Sequence, residues 1–178
     1  KEEICNNKEV IKYGEIIDIS VNKYLEKIEE IGKENYYLFK TGIKFKEKET
    51  DIEPYKLGYW LGGRLSNKEE NKLEKEIKEL KLIKKNNIPE KYKKNSRRNQ
   101  LELIAGIIDS NGEYDKINKE YKVKIRNKLI LEDLLYITRS LGYSSIIIDY
   151  NLIINGDKLE EIPVKNKDKK VEKELNKD

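Results

Sequence analysis

The chain has no histidine. That absence excludes Ser-His and Cys-His catalysis and every histidine-ligated metal. A single cysteine, Cys5, excludes an intramolecular disulfide framework and any cysteine-cluster zinc site. No apolar run approaches the roughly 18 residues of a membrane-spanning helix, so no membrane partner is expected. No basic-then-apolar leader opens the sequence, which sets the expectation of an intracellular setting. Apolar residues are also scarce, at 37% against 40% charged, with a mean hydropathy of −0.87. A chain of 178 residues suits one domain, or one domain with a small appendage, and here its core must be thin or split. Any chemistry falls to carboxylates, Lys, Arg, Tyr, Ser or backbone groups.

Charge is present in plenty and unevenly spread. The formal net charge is +4. Residues 1–56 carry net −2, residues 57–100 net +7, residues 101–163 net −3 and residues 164–178 net +2. Between Lys81 and Arg98 stand Lys81, Lys84, Lys85, Lys91, Lys93, Lys94, Arg97 and Arg98 against Glu90 alone. A field of one sign in so short a stretch attracts polyanions. Lys, Asn and Ile dominate the composition, a bias that an AT-rich coding sequence produces by itself, so the clustering carries more weight than the lysine content.

Periodicity places the elements. Gly14–Val21 reads as a strand, and Asn22–Ile31 as a helix with Tyr24, Leu25 and Ile28 at helical spacing. Tyr36–Phe45, β-branched and aromatic with Gly42 inside, suggests a second strand or hairpin. Pro54 suits the first position of a helix running through Tyr55–Gly62. Asn67–Leu80 reads as a charged helix with Leu73, Ile77 and Leu80 on one face, and Ile88-Pro89 ends what precedes it. Asn99–Asp109 is the most apolar helix, closed by Asn111-Gly112. Glu113–Arg126 alternates, with Tyr121, Val123 and Ile125 on one face and Lys122, Lys124 and Arg126 on the other, as in a half-buried strand with a basic outer face. Leu129–Leu141 reads as a helix ended by Gly142, and Ser145–Asp149 and Asn151–Ile154 as two short strands. Beyond Pro163 the chain is charged and aperiodic, which predicts a frayed tail. Helix–strand–strand–helix–strand–strand order in the second half excludes a doubly wound parallel sheet. It predicts an α+β class with helices on one face of an antiparallel sheet.

One spacing occurs twice. Gly58-x-x-x-Gly62 and Gly106-x-x-x-Ser110 each put small residues one helical turn apart. Two such faces can pack backbone to backbone, which predicts a helix interface through Gly58, Gly62, Gly106 and Ser110. The nine residues Ile104 to Gly112, IAGIIDSNG, resemble the helix motif that names the LAGLIDADG homing endonucleases. Leu57 to Arg64, LGYWLGGR, is similar to the LLG-x-WLGDG form common in inteins. Further blocks follow in the order of the intein-borne branch: Asn87 to Tyr92 (NIPEKY) resembles N-K-H-I-P-E-x-Y, Arg139 to Tyr143 (RSLGY) resembles R-S-L-G, and Ile162-Pro163-Val164 is similar to a closing I-P block. The resemblance covers roughly residues 14–167.

That resemblance implies a pseudo-two-fold LAGLIDADG-type domain whose helix C-termini meet at the DNA. There, two carboxylates hold Mg²⁺ for phosphodiester hydrolysis in active relatives. The positions of those acids fall on Gly63 and Asn111, and the lysine of the N-K-H-I-P block falls on Asn86. The catalytic constellation therefore reads as degenerate, cleavage is expected to be absent and no metal cofactor is expected. Asp109 and Glu113 are the nearest substitute ligands. Only 48 residues separate Gly58 from Gly106, with no strand pattern between them, so the first half reads as shortened.

The expected organisation is a β-rich lead-in over residues 1–50, an endonuclease-like domain over 51–163 and a charged tail over 164–178. The expected partner is double-stranded DNA, bound weakly through Lys84, Lys85, Lys91, Lys93, Lys94, Arg97, Arg98, Lys122, Lys124 and Arg126. The alternatives are a structural insert between intein splicing halves, and a nuclease with substitute ligands. Protein splicing in inteins needs a Thr-x-x-His and a terminal His-Asn, which a histidine-free sequence lacks, so this chain is not expected to splice by itself, and splicing halves are expected partners only if the full gene product carries them. Localisation would follow the host protein. Two motifs in one chain predict a monomer.

Overall fold

A computed structural model describes residues 17–32, 41–63, 73, 75–78 and 87–172. The chain divides into two units, Lys1–Phe39 and Lys40–Asp178. In the first, helix α1 spans Val21–Ile31, and the Ser20 hydroxyl accepts from Lys23 N at its start. That cap corrects the strand expected over Gly14–Val21. Residues 17–20 are irregular and Val21 already belongs to the helix, while residues 14–16 lie outside the described residues. Capping by a serine in extended conformation satisfies an orphan helix donor, and this local bond wins over the β-branched pattern.

In the second unit, helix α2 spans Pro54–Gly62 with proline in its first turn. A short helix α3 (Glu90–Lys93) follows, then α4 (Arg97–Asn111), β1 (Gly112–Asp115), β2 (Glu120–Lys124), α5 (Lys128–Ser140), β3 (Ser144–Ile148) and β4 (Asn151–Asn155). Ser96 caps α4 through Asn99 N, and the Asn127 side-chain Oδ1 caps α5 by accepting from Leu129 N and Ile130 N. The strands form one antiparallel sheet in the order β1-β2-β4-β3. The α+β class expected from the element order is the class observed.

Two expectations change, and a third holds where the residues are described. The strand or hairpin over Tyr36–Phe45 is not seen in residues 41–45, which run irregularly along the end of α5, where Ile43 N donates to Ser140 O at 2.7 Å. Residues 36–40 lie outside the described residues. Of the helix expected over Asn67–Leu80, Leu73 and residues 75–78 are helical and the rest lies outside the described residues. The alternating stretch Glu113–Arg126 is a hairpin rather than one strand. The Asp115 carboxylate accepts from Ile117 N and Asn118 N, and Lys119 takes a positive φ of 51°. An aspartate that binds the backbone two and three residues ahead turns the chain without a glycine.

The core lies between α4, α5 and one face of the sheet. Tyr121 and Val123 of β2 stand opposite Ile154 and Leu152 of β4 and are buried, against Leu134 and Ile137 of α5 in the same cluster. Side chains of this size contribute roughly 1.5–3 kcal/mol each when fully buried. The segment after Pro163 joins this core, which corrects the frayed tail for residues 164–172. Val164 is buried, a 3-10 turn spans Lys167–Lys169, and Tyr121 Oη donates to Lys169 O at 2.9 Å.

Several core tyrosines have raised pKa values. Burial pushes the Tyr143 phenol up to about 12, and burial also raises Tyr92 and Tyr121. A raised folded-state value contributes stability that is complete below the unfolded value of about 10 and is lost as pH rises through the folded value. We expect these phenols to stay protonated in ultraviolet titration until alkaline unfolding near pH 12. Reversible ionisation of all 12 tyrosines near pH 10, with unchanged circular dichroism, would contradict this.

Candidate functional site

Helices α2 and α4 pack backbone to backbone. A Cβ built on Gly58 would overlap Leu103 O, and one on Gly106 would overlap Tyr55 O and lie 2.7 Å from Tyr59 N. A Cβ on Gly62 would overlap the Ser110 side chain. The structure thus brings Gly58, Gly62, Gly106 and Ser110 into one interface. Only side chains no larger than serine let two helix backbones come this close.

The ends of these helices hold the positions where the resemblance puts catalytic acids. Gly63 caps α2 in the left-handed region, φ +82°, and its amide donates to Trp60 O. It offers no side-chain ligand. Asn111 ends α4, and its Nδ2 donates to Lys124 O at 2.6 Å. An aspartate in this conformation would set a carboxylate against a carbonyl oxygen, so the amide is the group that fastens the helix end to β2. Such a bond is worth about 1 kcal/mol. Asn86 lies outside the described residues.

The two neighbouring acids are placed differently from each other. Asp109 is 8% exposed. Its carboxylate accepts from Tyr55 Oη at 2.8 Å, Lys165 N at 2.7 Å and Asn166 N at 3.1 Å. It therefore ties α2, α4 and the chain after Pro163 together. Lys169 Nζ donates to Ile108 O and Asp109 O, which sets a cation on the negative end of the α4 dipole. Lys165 Nζ stands 3.6 Å from the Tyr55 ring centre. Burial and the Asp109 acceptor both raise the Tyr55 pKa. Glu113 points to the open side of the sheet, opposite Lys122. Among the described residues no three Cys, Asp or Glu side chains gather as a metal site. With a glycine and a sheet-bonded amide at the two helix ends, the residues present do not fit an ion held by paired carboxylates. Tyr55, Lys165, Asn166 and Lys169 escaped the sequence reading because each meets Asp109 or its helix end across more than 50 residues.

The basic stretch looks different in space. Lys91 pairs with Asp51. Lys93, 12% exposed, pairs with Asp133 at 2.8 Å and Glu90 at 2.9 Å. Burial alone would lower the Lys93 pKa, yet the two carboxylates raise it. Lys94 pairs with Glu90, which the two lysines hold below the usual carboxylate range. Arg97 binds Glu161 and Leu141 O, and Arg98 pairs with Glu102. Asp51, Asp133 and Glu161 from elsewhere in the fold, with Glu90 and Glu102 on the same helices, thus cancel much of the local field. This corrects the picture of a free cationic loop: Lys93 and Arg97 are structural staples, while Arg98, 81% exposed, remains open to an outside anion. Lys84 and Lys85 lie outside the described residues.

The open face of the sheet follows from the register. It carries Glu113 and Asp115 on β1, Glu120, Lys122 and Lys124 on β2, Asn151, Ile153 and Asn155 on β4, and Ser144, Ile146 and Ile148 on β3. The face is mixed rather than basic. Lys122 pairs with Asp115 at 2.7 Å and lies 3.6 Å from Glu120. Lys124 and Arg126 are exposed and have no ion pair among the described residues. Ile146 and Ile148, about half exposed, make an apolar strip beside them.

No curated protein matches the chain. A family model described as homing endonuclease matches residues 87–176, half of the chain. That span runs from the N-terminal side of α3 through the motif helix α4 and the sheet to the segment clasped on Asp109, so the chain belongs to the homing endonuclease family.

Proposed function

We propose that this domain binds double-stranded DNA without cutting it. The observation that carries the proposal is the state of the two helix ends: Gly63 has no ligand, and Asn111 donates its amide to Lys124 O. Each missing carboxylate removes charge stabilisation from a metal-assisted phosphodiester cleavage, and Asp109 is already bonded to three donors. No metal cofactor is needed for the remaining role. The N-K-H-I-P-like, R-S-L-G-like and I-P blocks support an origin within an intein, whose splicing halves would then be partners. The two motif helices pair within one chain, which supports a monomer.

DNA binding rests on the open sheet face and its rim. Lys124 and Arg126 stand at one end of β2, with Lys116 and Lys119 at the hairpin tip beyond the other. Three or four phosphate contacts from such groups give a log K against log salt slope of about −3 to −4. That is shallower than a fully free basic stretch would produce. The acids on the same face and the small number of strands leave little base readout.

Purified protein is expected to leave supercoiled plasmid intact with Mg²⁺ or Mn²⁺. In fluorescence anisotropy it should bind a mixed-sequence duplex at low salt, and the variant Lys124→Glu/Arg126→Glu should lose most of that affinity, on the order of ten-fold or more. Metal-dependent linearisation would overturn the non-cleaving reading. Absence of duplex binding at low salt would leave the structural-insert reading in its place.

A further inference from the structure

We propose that Ile117, at the tip of the β1–β2 hairpin, is a wedge that enters a base step of bound duplex DNA. The proposal rests on the DNA-binding reading above and names the residue that deforms the duplex. Ile117 is 92% exposed, the most exposed large apolar side chain among the described residues. Nothing in the fold calls for it there. Tight turns favour Gly, Asn, Asp and Ser, and the Ile117 side chain contributes nothing to the core cluster.

The tip is held rather than loose. One carboxylate, Asp115, accepts from Ile117 N at 2.9 Å, Asn118 N at 3.0 Å and Asn118 Nδ2 at 2.9 Å. It also accepts from Lys122 Nζ at 2.7 Å, which ties the turn to the middle of β2. These bonds, that from Lys122 first, hold the Asp115 carboxyl far below its usual range. A preorganised apolar side chain gives up little entropy when it is inserted.

The neighbours match a nucleic acid. Lys116 and Lys119 flank Ile117 and are exposed, so positive charge surrounds the apolar point. Isoleucine is among the side chains that enter base steps from the minor groove, partly unstacking and kinking the duplex. The cost is least at flexible pyrimidine–purine steps. Preference for TA and CA steps would then arise without hydrogen-bonded base readout, which the mixed sheet face is poorly equipped to supply.

The test uses the full chain and Ile117→Ser, with circular dichroism expected to show an intact fold because the site is exposed. The probe is a duplex with 2-aminopurine in a central TA step, followed by fluorescence and, in parallel, by anisotropy. Wild type should raise 2-aminopurine fluorescence several-fold at saturation. Ile117→Ser should bind with an unchanged salt slope and an affinity about ten-fold lower, without that rise. Duplex binding by wild type with no fluorescence change overturns the wedge and leaves the DNA reading standing. Loss of all duplex binding removes both. Binding of wild type, but not Ile117→Ser, to phosphatidylcholine–phosphatidylserine vesicles with no effect on DNA would assign the tip to a lipid surface and overturn the wedge.

Discussion

Gly106→Val is expected to unfold the domain at ambient temperature or leave it barely folded. The first added atom, Cβ, already overlaps Tyr55 O and crowds Tyr59 N. Both are backbone atoms of α2 and cannot rotate aside. The helices must separate, and Leu57, Leu103 and Ile107, now buried, lose their contacts. Overpacking in a dry core costs roughly 1–3 kcal/mol when side chains yield and more when backbone must move. A domain stable by about 5–15 kcal/mol has little margin for that. Gly58→Ala meets Leu103 O in the same way and should be nearly as harmful. Gly63→Ala is the contrast. Nothing lies within 4 Å of its added Cβ, and only the positive φ of 82° opposes it, so the loss should be near 1 kcal/mol. Thermal melts followed by circular dichroism check the series. A Gly106→Val variant melting within a few degrees of wild type would refute the close approach.

Asp109→Ala is expected to cost about 3 kcal/mol and to release the chain after Pro163. The substitution strips the partner from Tyr55 Oη and from the amides of Lys165 and Asn166. Unpaired buried donors carry the full desolvation penalty, which exceeds the net value of the bonds themselves. Asp109→Asn keeps one acceptor oxygen and should lose roughly half as much. Hydrogen exchange at the amides of residues 165 and 166 should accelerate in the alanine variant before the rest of the unit opens. The loss should be the same with EDTA or with Mg²⁺ present, because the carboxylate serves protein donors. A destabilisation that appears only when divalent metal is withheld from wild type would return Asp109 to the substitute-ligand role.

Much of this molecule was legible in its residues, and the legible part is local. Helical spacing of small residues at 58, 62, 106 and 110 announced a close helix pair, because side chains three or four residues apart share one helix face. Alternation at Tyr121, Val123 and Ile125 identified a buried sheet face, because strand side chains alternate sides. Absence of histidine and the residues Gly63 and Asn111 are matters of composition and position, needing no coordinates to read. The hairpin turn at Asp115 was written in the sequence too, but it carries no glycine, so periodicity ran the two strands together.

Only the tertiary structure decided which charges are free. The run from Lys91 to Arg98 is one of the most basic in the chain, yet Asp51, Asp133 and Glu161 reach it from 40 to 64 residues away. The segment after Pro163 has no periodicity, and its order comes from Val164 in the core and from Asp109 and the carbonyl end of α4. A charge pattern along a sequence records what a segment carries. The field around it depends on what the fold brings within a Debye length of about 8–10 Å, and that distance is set by topology.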